Sequence, residues 1–489
     1  MIDKQENNAQ IIDVLIIGCG VVGAAAAYEL SRFNLSILAV DRLNDIAGET
    51  TRANSGIVHA GFDPTPGSVI SRLNVRGNKL IRQLCPKLDV PFVPNGSMVL
   101  GFDDNDKKHL NELYHRGNEY KVPGIELISA NKARELEPNL SDKVVNALYA
   151  PSGGIIGPWE FAIALAETAI RNGAKFSLNT EVVGISRLEG DDGYLVNTTK
   201  GDFKTRAVVN AAGLYSDEVH GFIKEPDFKI MPKRGQYYLL DKSAGDIVSH
   251  TIFQCPNEHG KGVLVTPTSH GNLLIGPSSE DIDSCENTDT DTATLQFVLE
   301  KARHSVPNIN MRECIRNFAG VRAVADTDDF IIREADKHFY DLAGIKSPGL
   351  TAAPAIAEEL ISMLEASEIE LTLKDTFIDE RRVVRFKYLS NKERAELIKR
   401  DPAYGRMVCR CESVTEGEIL AAFDSPLPPM TLDAVKRRCY PGMGRCQAGF
   451  CAPKTIALIA KRFNIDPLDV EKDRQGSFIL TGEKGREAI

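Results

Sequence analysis

The stretch from Asp13 to Asp41 constrains the fold more than any other. It reads Asp13-Val-Leu-Ile-Ile-Gly18-Cys-Gly20-Val-Val-Gly23, then the small-residue run Ala24 to Ala27 and on to Leu30, then Leu35-Ser-Ile-Leu-Ala-Val-Asp41. An apolar run of strand length meets three glycines at G-x-G-x-x-G spacing, followed by a helical segment and a second apolar strand ending in an acid. That order predicts a strand–turn–helix–strand unit binding an ADP-containing dinucleotide. Gly18 permits the tight turn, Gly20 lets backbone approach a pyrophosphate, and Gly23 lets helix and strand pack closely. The helix N-terminus turns free N–H groups and a positive dipole end toward the phosphates. Asp41 is placed to accept hydrogen bonds from a ribose diol. The pattern accommodates FAD and NAD alike.

The chain has 489 residues, enough for more than one hydrophobic core. A net charge of -10 argues against bulk nucleic-acid binding. No apolar run approaches the ~20 residues of a membrane span, and the polar arm Met1–Gln10 lacks a signal-peptide core. A cytoplasmic protein is expected. Five of the ten cysteines fall in the last fifth of the chain, and in a reducing compartment such clustering suggests a metal site rather than disulfides.

After Asp41 comes Gly48-Glu-Thr50-Thr51-Arg-Ala-Asn54-Ser55-Gly56-Ile-Val-His59-Ala-Gly61, rich in hydroxyls, amides and glycines, as suits a loop wrapped around a polar cofactor. Thr50, Thr51, Asn54 and Ser55 are candidates to bond phosphate and ribityl oxygens. His59 would lie near the redox ring, although a lone histidine is as readily structural. This loop resembles that of the D-amino-acid-oxidase-like FAD oxidoreductases, and within them the glycerol-3-phosphate dehydrogenases and especially the L-2-hydroxyglutarate dehydrogenases. The resemblance covers about residues 10–385 and implies FAD in the fingerprint. It implies an α/β fold, a Rossmann-like FAD-binding domain with an interleaved antiparallel substrate-binding sheet. Val22, Arg42 and Gly56 join the implied cofactor contacts.

Ser71–Leu84 and Lys107–Tyr120 read as amphipathic helices, Phe92–Phe102 as a strand, and Trp159–Asn172 as a helix stopped by Gly173. Phe176–Leu188 resembles the family strand in which Val182 contacts adenine. Tyr194–Thr199 and Phe203–Asn210 read as a hairpin returning to Ala212-Gly213, a turn that meets the dinucleotide in the family. Met231–Leu240 and Gly262–Pro277 alternate like antiparallel strands. In the family such strands cover the flavin face, which makes Lys233, Arg234, Tyr237 and His270 candidates for substrate contact. Asn317-Phe-Ala-Gly320-Val-Arg322 resembles the segment whose arginine binds the substrate anion. A planar guanidinium suits carboxylate and phosphate equally. Gly349-Leu350-Thr351, before a helix expected over Pro354–Glu365, matches the last cofactor loop, where a helix N-terminus would favour reduced, anionic flavin.

Charge rises through Glu380–Arg400, read as a linker over 386–400, and Asp401-Pro402 marks a boundary. Beyond it, Cys409-Arg-Cys411 and Cys446-Gln-Ala-Gly-Phe-Cys451 are separated by a helical segment. Four thiolates suit an iron–sulfur cluster or zinc. Zinc sites more often use C-x₂₋₄-C pairs, so the C-x-C knuckle tilts against zinc. Residues 401–489 resemble the bacterioferritin-associated-ferredoxin-like domain, a small α-rich [2Fe–2S] unit, with Cys409, Cys411, Cys446 and Cys451 at the ligand positions. Cys439 departs from the family pattern and is either a free thiol or a substitute ligand. A one-electron cluster beside the fingerprint favours FAD independently, since a nicotinamide moves two electrons as one hydride whereas a flavin also passes them singly.

The expected activity is dehydrogenation of a secondary alcohol beside an anionic group. His59 or His270 is the base, Arg322 holds the anion, and electrons leave through the cluster to a partner subunit or carrier. The resemblance puts sn-glycerol 3-phosphate first and L-2-hydroxyglutarate second. A non-catalytic electron-transfer subunit and an O₂-using oxidase are the competing readings, and an oligomer is compatible with all of them.

Overall fold

The computed structural model describes residues 11–190, 193–256 and 262–482. Its first sheet runs in the order 182–187, 194–198, 201–210, 12–17, 37–40, 175–177. The strand Ile12–Ile17 is its centre, parallel to both Gly201–Asn210 and Ile37–Val40. Phe339–Ala343 adds to Gly201–Asn210 in parallel, and Ile331–Asp336 pairs antiparallel with it.

Ile12–Ile17 is apolar almost throughout because both of its faces are covered, the usual condition of a parallel sheet. Val14 and Ile16 face a helical layer, while Leu15 and Ile17 face a layer built from Tyr194, Val196 and Phe203 of the hairpin. The helical layer is Val21–Leu30 packed between Pro158–Arg171 and Gly349–Glu365. Ala24, Ala25, Ala26 and Ala27 are fully buried, so the small-residue run is what lets two helices close on this one.

The second sheet has nine strands, in the order 280–281, 230–240, 273–276, 264–267, 251–254, 97–101, 146–150, 126–129, with Cys314–Ala325 pairing along Ile230–Leu240. Its pairs are antiparallel except Thr251–Gln254 on Ser97–Gly101, which run parallel.

Several elements extend beyond their sequence-based bounds. The helices expected over Ser71–Leu84 and Lys107–Tyr120 span Val69–Leu88 and Asp104–Glu119. Ser68 and Asp103 cap them, each side chain accepting a backbone N–H of the first turn. The helix expected from Pro354 starts at Gly349 and carries Pro354 inside it. The proline nitrogen has no hydrogen for the Leu350 carbonyl, a loss the helix absorbs near its start.

The C-terminal unit holds a short hairpin, Met407–Cys409 with Val414–Thr415, and the helices Glu416–Phe423, Leu432–Cys439 and Ala452–Phe463 around Ile419, Phe423, Val435 and Ile459. Before it, Asn391–Arg400 forms a helix closed by a Ser390/Glu393 capping box, and Phe386, Leu397 and Tyr404 pack together. Among the described residues no helix is long and apolar enough to cross a membrane.

Candidate active site and thiol cluster

A cavity of about 1530 Å³ opens where the two sheets meet the fingerprint. Gly18 turns at φ +100°, and a Cβ there would stand 2.4 Å from the Ala211 carbonyl oxygen, so only glycine lets the two backbone turns close on each other. The Gly18 N–H donates to Val40 O at 2.8 Å. Val21 N–H, at the start of the helix, donates to the Thr51 hydroxyl at 3.0 Å. Asp41 accepts from Cys19 N–H at 2.7 Å and from Leu43 N–H at 2.9 Å. Burial pushes its carboxyl up to about 6, against the lowering effect of those two N–H groups.

Gly18, Gly20, Val22, Asp41 and Arg42 line the cavity. So do Thr50, Thr51, Asn54, Ser55, Val182, Ala212, Gly213, Gly349 and Leu350. Gly23, Gly56 and Thr351 stand behind the wall. A Cβ on Gly23 would meet Gly18 O at 1.9 Å. The Asn54 side chain braces its own loop, accepting from Gly56 N–H at 2.8 Å and donating to Thr51 O at 2.8 Å. Thr351 Oγ1 accepts from His59 N–H at 2.9 Å, which ties the histidine to the start of the Gly349–Glu365 helix.

On the substrate side, His59 Nε2 lies 3.2 Å from Ser347 Oγ, and its ring is 5.9 Å from that of Phe253. Lys233 and Tyr237 share one face of their strand, and in the register Lys233 opposes Arg322, Gly235 opposes Gly320 and Tyr237 opposes Phe318. Lys233, Tyr237 and Arg322 all line the cavity. Tyr237 stacks on Phe318 with centroids 4.8 Å apart. Arg322 Nη2 donates to Ser278 O at 3.0 Å.

Two expected substrate residues lie elsewhere. Arg234 is one residue out of phase, so its guanidinium faces away from the cavity and binds Glu280 at 2.7 Å and Asn287 at 2.9 Å. His270 is absent from the cavity lining. Its Nε2 meets Glu160 at 2.8 Å, its ring lies 4.6 Å from that of Tyr440, and the Tyr440 hydroxyl bonds the other Glu160 oxygen. His270 therefore belongs to the seam with the C-terminal unit. Lys346 and Ser347 escape the sequence reading. Both sit in the irregular loop before Gly349, where no periodicity marks which side chains turn inward; the only signal is nearness to the glycine.

The four expected cysteines come together two and two. Cys411 Sγ and Cys446 Sγ are 3.7 Å apart, and the Cys409 and Cys451 thiols lie close enough to interact. Each pair takes one member from each motif. The Cys451 thiol holds Cys409 down to about 6, against desolvation, with help from the backbone N–H groups of Gly442 and Glu412. Among the described residues no three His, Cys, Asp or Glu side chains make a site for a single ion. Two thiol pairs with backbone N–H groups aimed at sulfur fit a dinuclear cluster, in which each iron takes two thiolates. Cys439 is buried, bonds the Val435 carbonyl at 3.4 Å within its own helix, and has its thiol pushed well up by desolvation.

Comparison with known proteins accounts for both sites. Residues 13–363 match the FAD dependent oxidoreductase family, and residues 407–461 match the BFD-like [2Fe-2S] binding domain. The chain belongs to the FAD-dependent oxidoreductase family. Its cofactors are FAD and a [2Fe–2S] cluster. Among members of this family, a glycerol 3-phosphate dehydrogenase of Caloramator mitchellensis is 47% identical over 475 residues, covering 96% of this chain and 98% of that protein. A glycerol 3-phosphate oxidase of Mycoplasma pneumoniae is 36% identical over 362 residues, covering 72% of this chain and 94% of that one. The solved structure of a dithionite-reduced L-alpha-glycerophosphate oxidase from Mycoplasma pneumoniae with FAD bound superposes with TM-score 0.73 at 33% identity, over 77% of this chain and all of that one.

Proposed function

We propose that this flavoenzyme oxidises the secondary alcohol of sn-glycerol 3-phosphate to dihydroxyacetone phosphate in the cytoplasm, and passes the electrons through its cluster to an acceptor. The observation that carries the reading is one cavity lined by Arg322, Lys346, His59 and Ser347, continuous with the glycine-rich fingerprint. The names of the similar proteins support the choice of substrate. Bound FAD supplies a two-electron acceptor, and the cluster supplies one-electron transfer onward.

The protein's own residues do the rest. Gly18, Gly20, Thr51 and Asp41 hold the dinucleotide. Arg322 and Lys346 bind the phosphate, the guanidinium by paired hydrogen bonds and the ammonium as a point charge. His59 Nε2 takes the hydroxyl proton as the carbon-bound hydrogen departs, and Ser347, 3.2 Å away, orients the ring. The positive end of the helix beginning at Gly349 faces the cavity and stabilises negative charge developing there. Cys409, Cys411, Cys446 and Cys451 hold the cluster.

The test is a substrate comparison under anaerobic conditions with a dye acceptor. Activity on sn-glycerol 3-phosphate, absent with L-2-hydroxyglutarate, is expected. The reverse preference would overturn the substrate assignment, and flavin bleaching with neither would overturn the reading as a dehydrogenase. His59→Gln should lower kcat by about 10²–10⁴ while leaving FAD content unchanged.

A further inference from the structure

We propose that the face carrying Cys411 and Phe450 is the docking surface for an acidic one-electron carrier protein. This rests on the reading above, in which electrons leave through the cluster. Cys411 is the exposed member of the four thiols, so a cluster held by them would come nearest to solvent on this face. Beside it the loop between Cys446 and Cys451 lifts Phe450 into solvent at 84% exposure, while Gln447 and Ala448 before it take left-handed backbone conformations. Phe450 is far more exposed than any other phenylalanine among the described residues. A large apolar ring held out at an electron exit has the character of an interface anchor.

Charge names the partner. Residues 406–411 and 442–455 hold Arg406, Arg410, Arg445 and Lys454 and not one acid, in a chain whose net charge is -10. Arg406 is paired with Glu416, and Arg445 with Asp241 and Glu313. Arg410 and Lys454 are exposed and form no ion pair among the described residues, and the Lys454 ammonium reaches the Met407 carbonyl at the rim. The one carboxylate next to a ligand in sequence, Glu412, is buried and bound to Lys242 at 2.6 Å, so it does not offset them. A basic rim around an apolar anchor selects an acidic surface on the partner and disfavours face-to-face pairing with the same rim of another copy. The reaction balances as one alcohol oxidised to a ketone, two carriers each reduced by one electron, and two protons released.

The test uses the holoenzyme with a small acidic [2Fe–2S] ferredoxin as probe, and a neutral quinone as the non-docking acceptor. Ferredoxin binding, read by calorimetry in the absence of substrate, should weaken as salt rises. Lys454→Glu and Phe450→Ala should each weaken ferredoxin binding by at least tenfold, leaving quinone reduction and substrate bleaching of the flavin unchanged. Arg410→Gln is the second charge variant, admitted only if its cluster spectrum is native. Salt-independent binding, or variants that bind ferredoxin as the parent does, would overturn the docking proposal. Loss of flavin bleaching in the parent enzyme would instead sink the substrate reading, so the two failures are distinguishable.

Discussion

The dinucleotide cavity is closed by backbone and small side chains, whereas the seam that fixes the thiol unit beside it is made of buried charge. At Gly18, Gly23 and Ala24–Ala27 the chain approaches itself because side chains are missing or small. At the seam, Asp45 accepts from Arg437 at 2.8 Å and from Arg438 at 2.8 Å, all three side chains nearly inaccessible. Arg437 continues to Asp473 at 3.0 Å, and Arg52 bonds the same carboxylate. Asp45 lies on the loop that follows Asp41, so the charge pairs grip the same segment that borders the cofactor cavity. The first site tolerates almost no added atoms. The second tolerates no unpaired charge.

The largest effect should come from breaking the seam. Asp45→Ala leaves two guanidinium groups buried without this partner, at a cost of about 3–5 kcal/mol. Urea unfolding should show that loss, with the C-terminal unit becoming the first site of protease cleavage; unchanged stability would mean the seam does not hold the two units together. Burial raises the Asp45 carboxyl, but Arg438 and Arg437 outweigh it and hold it down to about 2. Its stabilisation is therefore complete above the ordinary carboxylate range and is lost as pH falls toward 2.

Arg322→Ala comes next. Loss of the anion's guanidinium should lower kcat/KM by about 2–3 kcal/mol, roughly 30- to 150-fold, chiefly through KM. Flavin content should stay constant; loss of FAD instead would place this arginine at the cofactor.

Gly235→Ala sharpens the contrast within the cavity. The added methyl would stand 2.4 Å from Arg322 Nη2, so the guanidinium must shift. We expect a cost of about 1–3 kcal/mol in kcat/KM, smaller than that of Arg322→Ala.

The smallest effect is the pH dependence of FAD binding. The ionised Asp41 carboxylate is the better acceptor for ribose hydroxyls, so FAD affinity should weaken as pH is lowered through about 6, by no more than tenfold per unit. Asp41→Asn should flatten that profile. In the apoprotein the same raised carboxyl acts in the opposite direction, since its contribution to stability is present below the ordinary carboxylate range and is lost as pH rises through about 6.

The contrast also explains which features are legible in the sequence. The fingerprint is legible because its contacts are made by residues whose spacing along the chain is fixed, as in the turn from Gly18 to Val21. The cysteine motifs are legible for the same reason. The seam is not, because Asp45 and Arg438 are 393 residues apart and neither stands in a motif. Glu160, His270 and Tyr440 are hidden likewise, and His270, expected at the substrate, belongs to the seam. On the substrate strand, alternation alone separates Lys233, Gly235 and Tyr237 from Arg234. The parity becomes certain only through the register with Cys314–Ala325, where Lys233 stands opposite Arg322 and Arg234 turns to the other face.

The most direct test of the account is anaerobic rapid mixing of the holoenzyme with sn-glycerol 3-phosphate, followed by visible absorbance for the flavin and electron paramagnetic resonance for the cluster. Flavin bleaching is expected first, followed by the signal of a reduced [2Fe–2S] centre; in Cys446→Ser the bleaching persists and that signal is lost. An unbleached flavin, or a bleached flavin whose electrons never reach the cluster, would contradict it.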